Sequence, residues 1–161
     1  MTYTVSKLAV VFLGFYSCFA NSGSAGDSGV KLIISLDKRS YVSGQPIVLQ
    51  ISLMNHARTN YRRRERIPER DFVAQVTNVS GRKTPLSELG ERLRNPVFGD
   101  TYSNDLVLAP GEVVKAQEDL TRLYTLTVPG TYHAYVTTQL PDYGKVTSNV
   151  VEFRVGNNPL P

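Results

Sequence analysis

The sequence predicts an all-β protein, a sandwich of about 7–9 short antiparallel strands. Three observations predict it. Residues 106–155 hold two Pro-Gly turns, Pro110-Gly111 and Pro129-Gly130, set between runs that alternate apolar and polar side chains. Residues 30–37 and 47–53 alternate with a period of two, the pattern of a half-buried strand. Turn residues such as Ser43-Gly44 and Ser80-Gly81 separate the remaining runs.

The elements follow in chain order. Lys7 is the only charge in the first 20 residues, and Leu8–Ala20 is a nearly unbroken apolar run. Small residues follow, so residues 1–25 predict a secretory signal peptide cleaved after Ala20 or Ala25. The run makes only about 20 Å of helix, against roughly 30 Å of hydrocarbon in a bilayer. That length argues against a membrane anchor. Cys18 opens a lipoprotein reading, in which a lipid anchor sits on its sulfur. Ser17 suits that motif, whereas Phe15 and Tyr16 do not. Under ordinary cleavage the single cysteine of the chain is discarded, and the sandwich holds no disulfide. The protein is then secreted or periplasmic. Loss of Lys7 leaves 17 bases and 14 acids, a mild excess of +3 that is not a nucleic-acid signature.

Residues 26–30 read as a flexible leader, residues 31–156 as one sandwich domain, and residues 157–161 as a tail. Leu32, Ile34 and Leu36 share one face of the first strand, with Ile33 as the exception on the other. Ser43-Gly44-Gln45-Pro46 turns the chain into Ile47, Leu49, Ile51 and Leu53, the cleanest strand and the predicted central one. Arg58–Arg70 breaks the apolar order, and Phe72, Ala74 and Val76 resume it. Residues 88–100 read as a loop with a helical turn near Ser87–Arg92. Strands at 102–108, 112–118, 131–139 and 148–155 complete the set.

Tyr132 stands two residues after Gly130. In immunoglobulin-like sandwiches a tyrosine at this place folds over the corner, and its hydroxyl bonds upstream backbone. Here that predicts a bond within residues 119–127. Ala134 stands where antibody domains carry their second cysteine, and the chain has no tryptophan. The pattern is therefore that of the wider immunoglobulin-like Greek-key sandwiches, with Tyr132, Gly130, Pro110 and Gly111 as structural residues.

A strand ending at Asn55, Leu-Ala-Pro-Gly-Glu at 108–112, Asp119-Leu120 followed by Leu123-Tyr124, and Pro-Gly-Thr-Tyr at 129–132 carry a closer resemblance. The chain resembles the non-catalytic region that precedes the catalytic domain in bacterial deuterolysin-type and peptidyl-lysine metalloendopeptidases. The resemblance implies a protease-associated inhibitor or pro-domain-like role. It does not carry over catalysis, because no His-Glu-x-x-His is present.

The inventory for catalysis is thin. His56 and His133 are the two histidines and have no ligand-like companions at short spacing. No Gly-x-Ser-x-Gly elbow and no phosphate-cradling glycine loop exists. Asp100, Asp105 and Asp142 read as turn and loop acids, without the dense run of a calcium site. Asn78-Val79-Ser80 fits the glycosylation acceptor pattern, which matters in a host that glycosylates. No catalytic residue, metal or cofactor is expected.

One segment is suited to binding. Arg58, Arg62, Arg63, Arg64, Arg66 and Arg70 crowd thirteen positions, partly offset by Glu65, Glu69 and Asp71. Guanidinium forks fit carboxylates, phosphates and sulfates. The same run also serves as a solvated strand that discourages edge-to-edge aggregation. The candidate partner-binding residues are Arg62, Arg63, Arg64 and Arg66. The reading is an exported, non-catalytic binding or structural module whose partner is an anionic protein or envelope component. The protease-associated role is the alternative, and an enzyme the least supported.

Overall fold

The computed structural model describes residues 29–65, 71–95, 104–140 and 144–157, of which 63–65 and 104–106 are described by their backbone. The predicted signal peptide, Cys18, Arg66, Asp100, Asp142 and the tail beyond residue 157 lie outside the described residues. No described helix is long and apolar enough to cross a membrane.

Period-two patterning produces two packed sheets. The first joins β1 (Val30–Leu36), β3 (Val48–Asn55) and β7 (Val113–Asp119) in the order β1-β3-β7, all antiparallel. The clean alternation of β3 places it centrally, as its sequence predicts. The second sheet joins β2 (Ser40–Val42), β10 (Val151–Gly156), β8 (Gly130–Leu140) and β5 (Val73–Asn78), with β9 (Gly144–Thr147) also on β8. A separate two-stranded ribbon pairs β4 (Tyr61–Glu65) with β6 (Asn104–Leu108). The fold is an all-β sandwich of the immunoglobulin-like Greek-key kind.

Two details depart from the expectation of about 7–9 antiparallel strands. Ten strands are present among the described residues, and β2 runs parallel to β10. The first strand of the sequence crosses between sheets at Asp37–Arg39, so its continuation joins the other sheet. The strand expected at 148–155 begins only at Val151, and a strand not expected from the sequence, Gly144–Thr147, precedes it. Residues 147 and 151 of the β9–β10 stretch oppose residues 137 and 134 of β8, which leaves one extra residue on the β9–β10 side. That is a β-bulge. Ser148 Oγ accepts from Val136 N at 2.9 Å, and Ser148 N donates to Val136 O at 2.9 Å, which repairs the ladder there. The bulge aims Asn149 at β1. Its amide donates to Ile34 O at 3.0 Å and accepts from Ile34 N at 2.9 Å.

The inner faces meet in one core. Leu32, Ile34, Leu49, Ile51 and Leu53 of the first sheet face Ala74, Val76, Tyr132, Ala134, Val136, Phe153 and Val155 of the second. Each fully buried aliphatic or aromatic side chain contributes roughly 1.5–3 kcal/mol. Tyr132 and Phe153 are direct cross-strand partners and stack with centroids 5.6 Å apart. Tyr41 meets the edge of Phe153 at 6.1 Å.

The predicted helical turn is α1 (Glu88–Arg94), and the chain makes a second short turn, α2 (Leu120–Leu123). Ser87 caps α1 by accepting from Gly90 N at 3.0 Å. Gly90 is buried against α2, and a Cβ there would collide with the carbonyl oxygen of Leu123. Glycine is required by this close approach, although its backbone is ordinary helix.

Candidate functional site

The arginine segment stands on the β4–β6 ribbon, which is rooted by a single buried amide. Asn55, at the end of β3, is fully buried. Its Nδ2 donates to Thr59 O at 2.9 Å and to Leu108 O at 3.0 Å, and its Oδ1 accepts from Ala57 N at 2.9 Å. Its main chain also holds the Pro110-Gly111 turn. Gly111 N donates to Asn55 O at 2.7 Å, and Asn55 N donates to Glu112 O at 3.0 Å. Gly111 has φ +80°, as the third residue of a proline-led type II turn requires. One side chain thus ties the loop before β4, the end of β6 and the following turn to the core.

From that root the ribbon runs outward. Tyr61 and Leu108 are opposite each other and buried. The next pair is Arg62 and Val107, and both are exposed. Arg63 lies opposite Leu106 and Arg64 opposite Asp105 in the strand register. Arg58 and His56 are exposed in the loop before the ribbon. The structure therefore brings Arg62, Arg63 and Arg64 onto one strand, while Arg66 lies outside the described residues. The segment is a paired strand and not only a loop, because Tyr61 gives it a buried anchor.

The other predicted residues are architectural. Tyr132 is buried, and its hydroxyl donates to Val128 O at 2.6 Å. The corner is real but closes one residue beyond the expected 119–127 stretch. Burial raises the pKa of this phenol. Gly130 opens β8 without a positive φ, so the second Pro-Gly pair is a strand entry and not a left-handed turn. His133 lies 3.2 Å from Glu152, its cross-strand neighbour on the outer face of the second sheet. Asn78 Oδ1 accepts from Ser80 N, Ser80 Oγ and Arg82 N at 3.1, 2.7 and 3.0 Å, so its carbonyl is engaged in building the turn at Gly81. Among the described residues no three His, Cys, Asp or Glu side chains gather as a metal site.

Several groups that matter were missed in the sequence. Tyr41 is buried, donates to Asp37 Oδ1 at 2.6 Å and lies under the Lys38 ammonium at 4.9 Å. Burial, and then the bond to Asp37, push its pKa up to about 12. The same bond holds the Asp37 carboxyl below its usual range. An open cleft of about 610 Å³ lies between this corner and the bulge, lined by residues including Leu36, Asp37, Arg39, Asn149 and Glu152. Tyr124 donates to Ala74 O at 2.6 Å, and Arg94 donates to the same oxygen at 2.6 Å. Burial raises the Tyr124 pKa, Arg94 opposes that rise and Glu118 adds to it. Glu118 is itself buried on the inner face of β7. A polar residue at the end of an alternating run was the only signal for Asn55 and Glu118.

No protein-family model and no curated protein sequence matches the chain. Among solved structures it is similar to a beta-glucosidase from Listeria innocua in complex with glucose, at 15% identity and a TM-score of 0.46. That match covers 81% of this chain and 16% of the glucosidase. It is also similar to Spo0M, a sporulation control protein from Bacillus subtilis, at 10% identity and a TM-score of 0.42. There the match covers 83% of this chain and 51% of that one.

Proposed function

We propose that this chain is an exported, non-catalytic β-sandwich module that binds an anionic protein or envelope component through the arginines of β4. The observation that carries the reading is the placement of Arg62, Arg63 and Arg64 on a rooted ribbon outside the two main sheets, with Arg62 exposed. The buried polar side chains support it from the other direction. Asn55, Ser148 and Tyr124 hold backbone in place and leave their hydrogen-bonding capacity in the scaffold. Opposite charge speeds encounter with an anionic surface, and salt screens it over about 8 Å at physiological ionic strength.

The test is binding to three polyanions across a salt series: a sulfated polysaccharide, vesicles with anionic headgroups and an acidic peptide. Wild type should bind at least one, with affinity falling as salt rises. Replacing Arg62, Arg63 and Arg64 together with alanine should weaken that binding and flatten its salt slope. Equal affinities and equal slopes for the two proteins would return the segment to a solvated edge.

A further inference from the structure

We propose that the outer edge of β7 is a pairing edge for a second copy of this chain, with the two β7 strands antiparallel about a two-fold axis at Gln117. The strand register gives the direction of every backbone group. Leu120 N donates to Ile47 O at 2.9 Å, in continuous register with Asp119 opposite Val48. Residues 114, 116, 118 and 120 therefore bond β3, and Val113, Lys115 and Gln117 turn their N–H and C=O groups away from it, as Asp119 turns its N–H, its C=O belonging to α2 as the N-cap. In the two main sheets β7 pairs with β3 alone among the described residues.

The treatment of the other edges makes this one distinct. On β5, Ala74 O is capped by Arg94 and Tyr124, Val76 O accepts from Thr84 N, and Asn78 N donates to Arg82 O. On β1, Asn149 takes both backbone groups of Ile34. The strands β2 and β9 have three and four residues, too short to template much pairing. The edge at β7 has seven residues, no proline, no glycine and no bulge.

Charge selects the partner and the register. Outward residues of one β7 must face outward residues of the other, so allowed registers differ by steps of two. Each step moves the axis by one residue: at Lys115 it sets the two Lys115 side chains opposite each other, which is repulsive, and at Ala116 it sets Lys115 opposite Gln117, with no opposite charge to meet it. An axis at Gln117 sets Gln117 opposite Gln117 and Lys115 opposite Asp119, twice by symmetry; Asp119 Oδ1 accepts from Thr121 N and Thr121 Oγ1 at 3.0 and 2.6 Å, so Lys115 meets the other carboxylate oxygen. Lys115 and Gln117 are exposed on the outer face of this strand. The two sheets then join as one six-stranded sheet, a closed isologous contact.

The test uses the full chain carrying Cys18→Ser, so that it holds no native thiol. Sedimentation equilibrium should show a reversible dimer. Lys115→Pro should give a monomer with an unchanged circular-dichroism spectrum, because the Lys115 N–H does not bond β3 and proline is tolerated on such an edge. Cysteine at the axis tests the register directly. Opposed residues there lie about 5.5 Å apart at Cα, within the range a disulfide spans. Gln117→Cys should form a covalent dimer on mild oxidation at least tenfold faster than Lys115→Cys. A monomeric wild type, a dimer that survives Lys115→Pro, or equal crosslinking at the two positions would each overturn the proposal.

Discussion

Replacing Asn55 should unroot the β4–β6 ribbon as well as weaken the fold. In Asn55→Ala three side-chain hydrogen bonds vanish, to Thr59 O, Leu108 O and Ala57 N. The bond to Leu108 O is fully buried, and an orphaned carbonyl there costs about 1–3 kcal/mol. The two partly buried bonds add about 0.5–1.5 kcal/mol each at most, since water replaces some of what is lost. The sum is about 2–6 kcal/mol, a large share of the ~5–15 kcal/mol that stabilises a typical domain. Urea denaturation followed by far-ultraviolet circular dichroism measures it. Hydrogen exchange should also quicken at the amides of residues 61–65 before global unfolding, because their anchor has gone. Asn55→Asp sharpens the argument. Its carboxyl would be buried against two carbonyl oxygens, which raises its folded pKa. A raised folded pKa contributes stability that is present below the unfolded value and lost as pH rises through the folded one. The variant should therefore lie closer to wild type at pH 4 than at pH 7. A loss below about 1 kcal/mol in Asn55→Ala, or a pH-independent gap in Asn55→Asp, would refute the assignment of Asn55 as the root.

The other expectations are simpler. Tyr132→Phe removes the bond to Val128 O and should cost about 0.5–1.5 kcal/mol at an unchanged urea slope; an unmoved midpoint would count against the corner. Gly90→Ala should destabilise by about 1–3 kcal/mol because the new Cβ meets Leu123 O. Helix propensity alone predicts the opposite sign, a gain of about 1 kcal/mol, so the direction of the midpoint shift decides. Tyr41 should ionise near 12 in an absorbance titration of the folded protein. Its raised pKa adds stability below its unfolded value of about 10 and loses it as pH rises toward 12, so Tyr41→Phe should flatten that alkaline decline.

Alternation along residues 30–37 and 47–53 was enough to predict strands, their buried faces and the central place of β3, because side-chain period and burial are local consequences of the pleat. The Pro110-Gly111 turn was equally legible, since its dihedrals demand those residues. Tyr132 was legible because its partner, Val128 O, lies four residues away. The arginines were visible as a run, but their placement on a ribbon was not. That placement depends on Asn55 reaching Leu108 across 53 residues, and on Tyr61 being buried opposite the same Leu108. The bulge before the last strand and the use of Asn149 to close β1 across 115 residues were likewise invisible in the sequence. A short-range pattern determines which face of a strand is buried. Which backbone edge a polar side chain satisfies is decided only when distant segments meet, because the hydrogen-bonding partner is then set by packing and not by spacing.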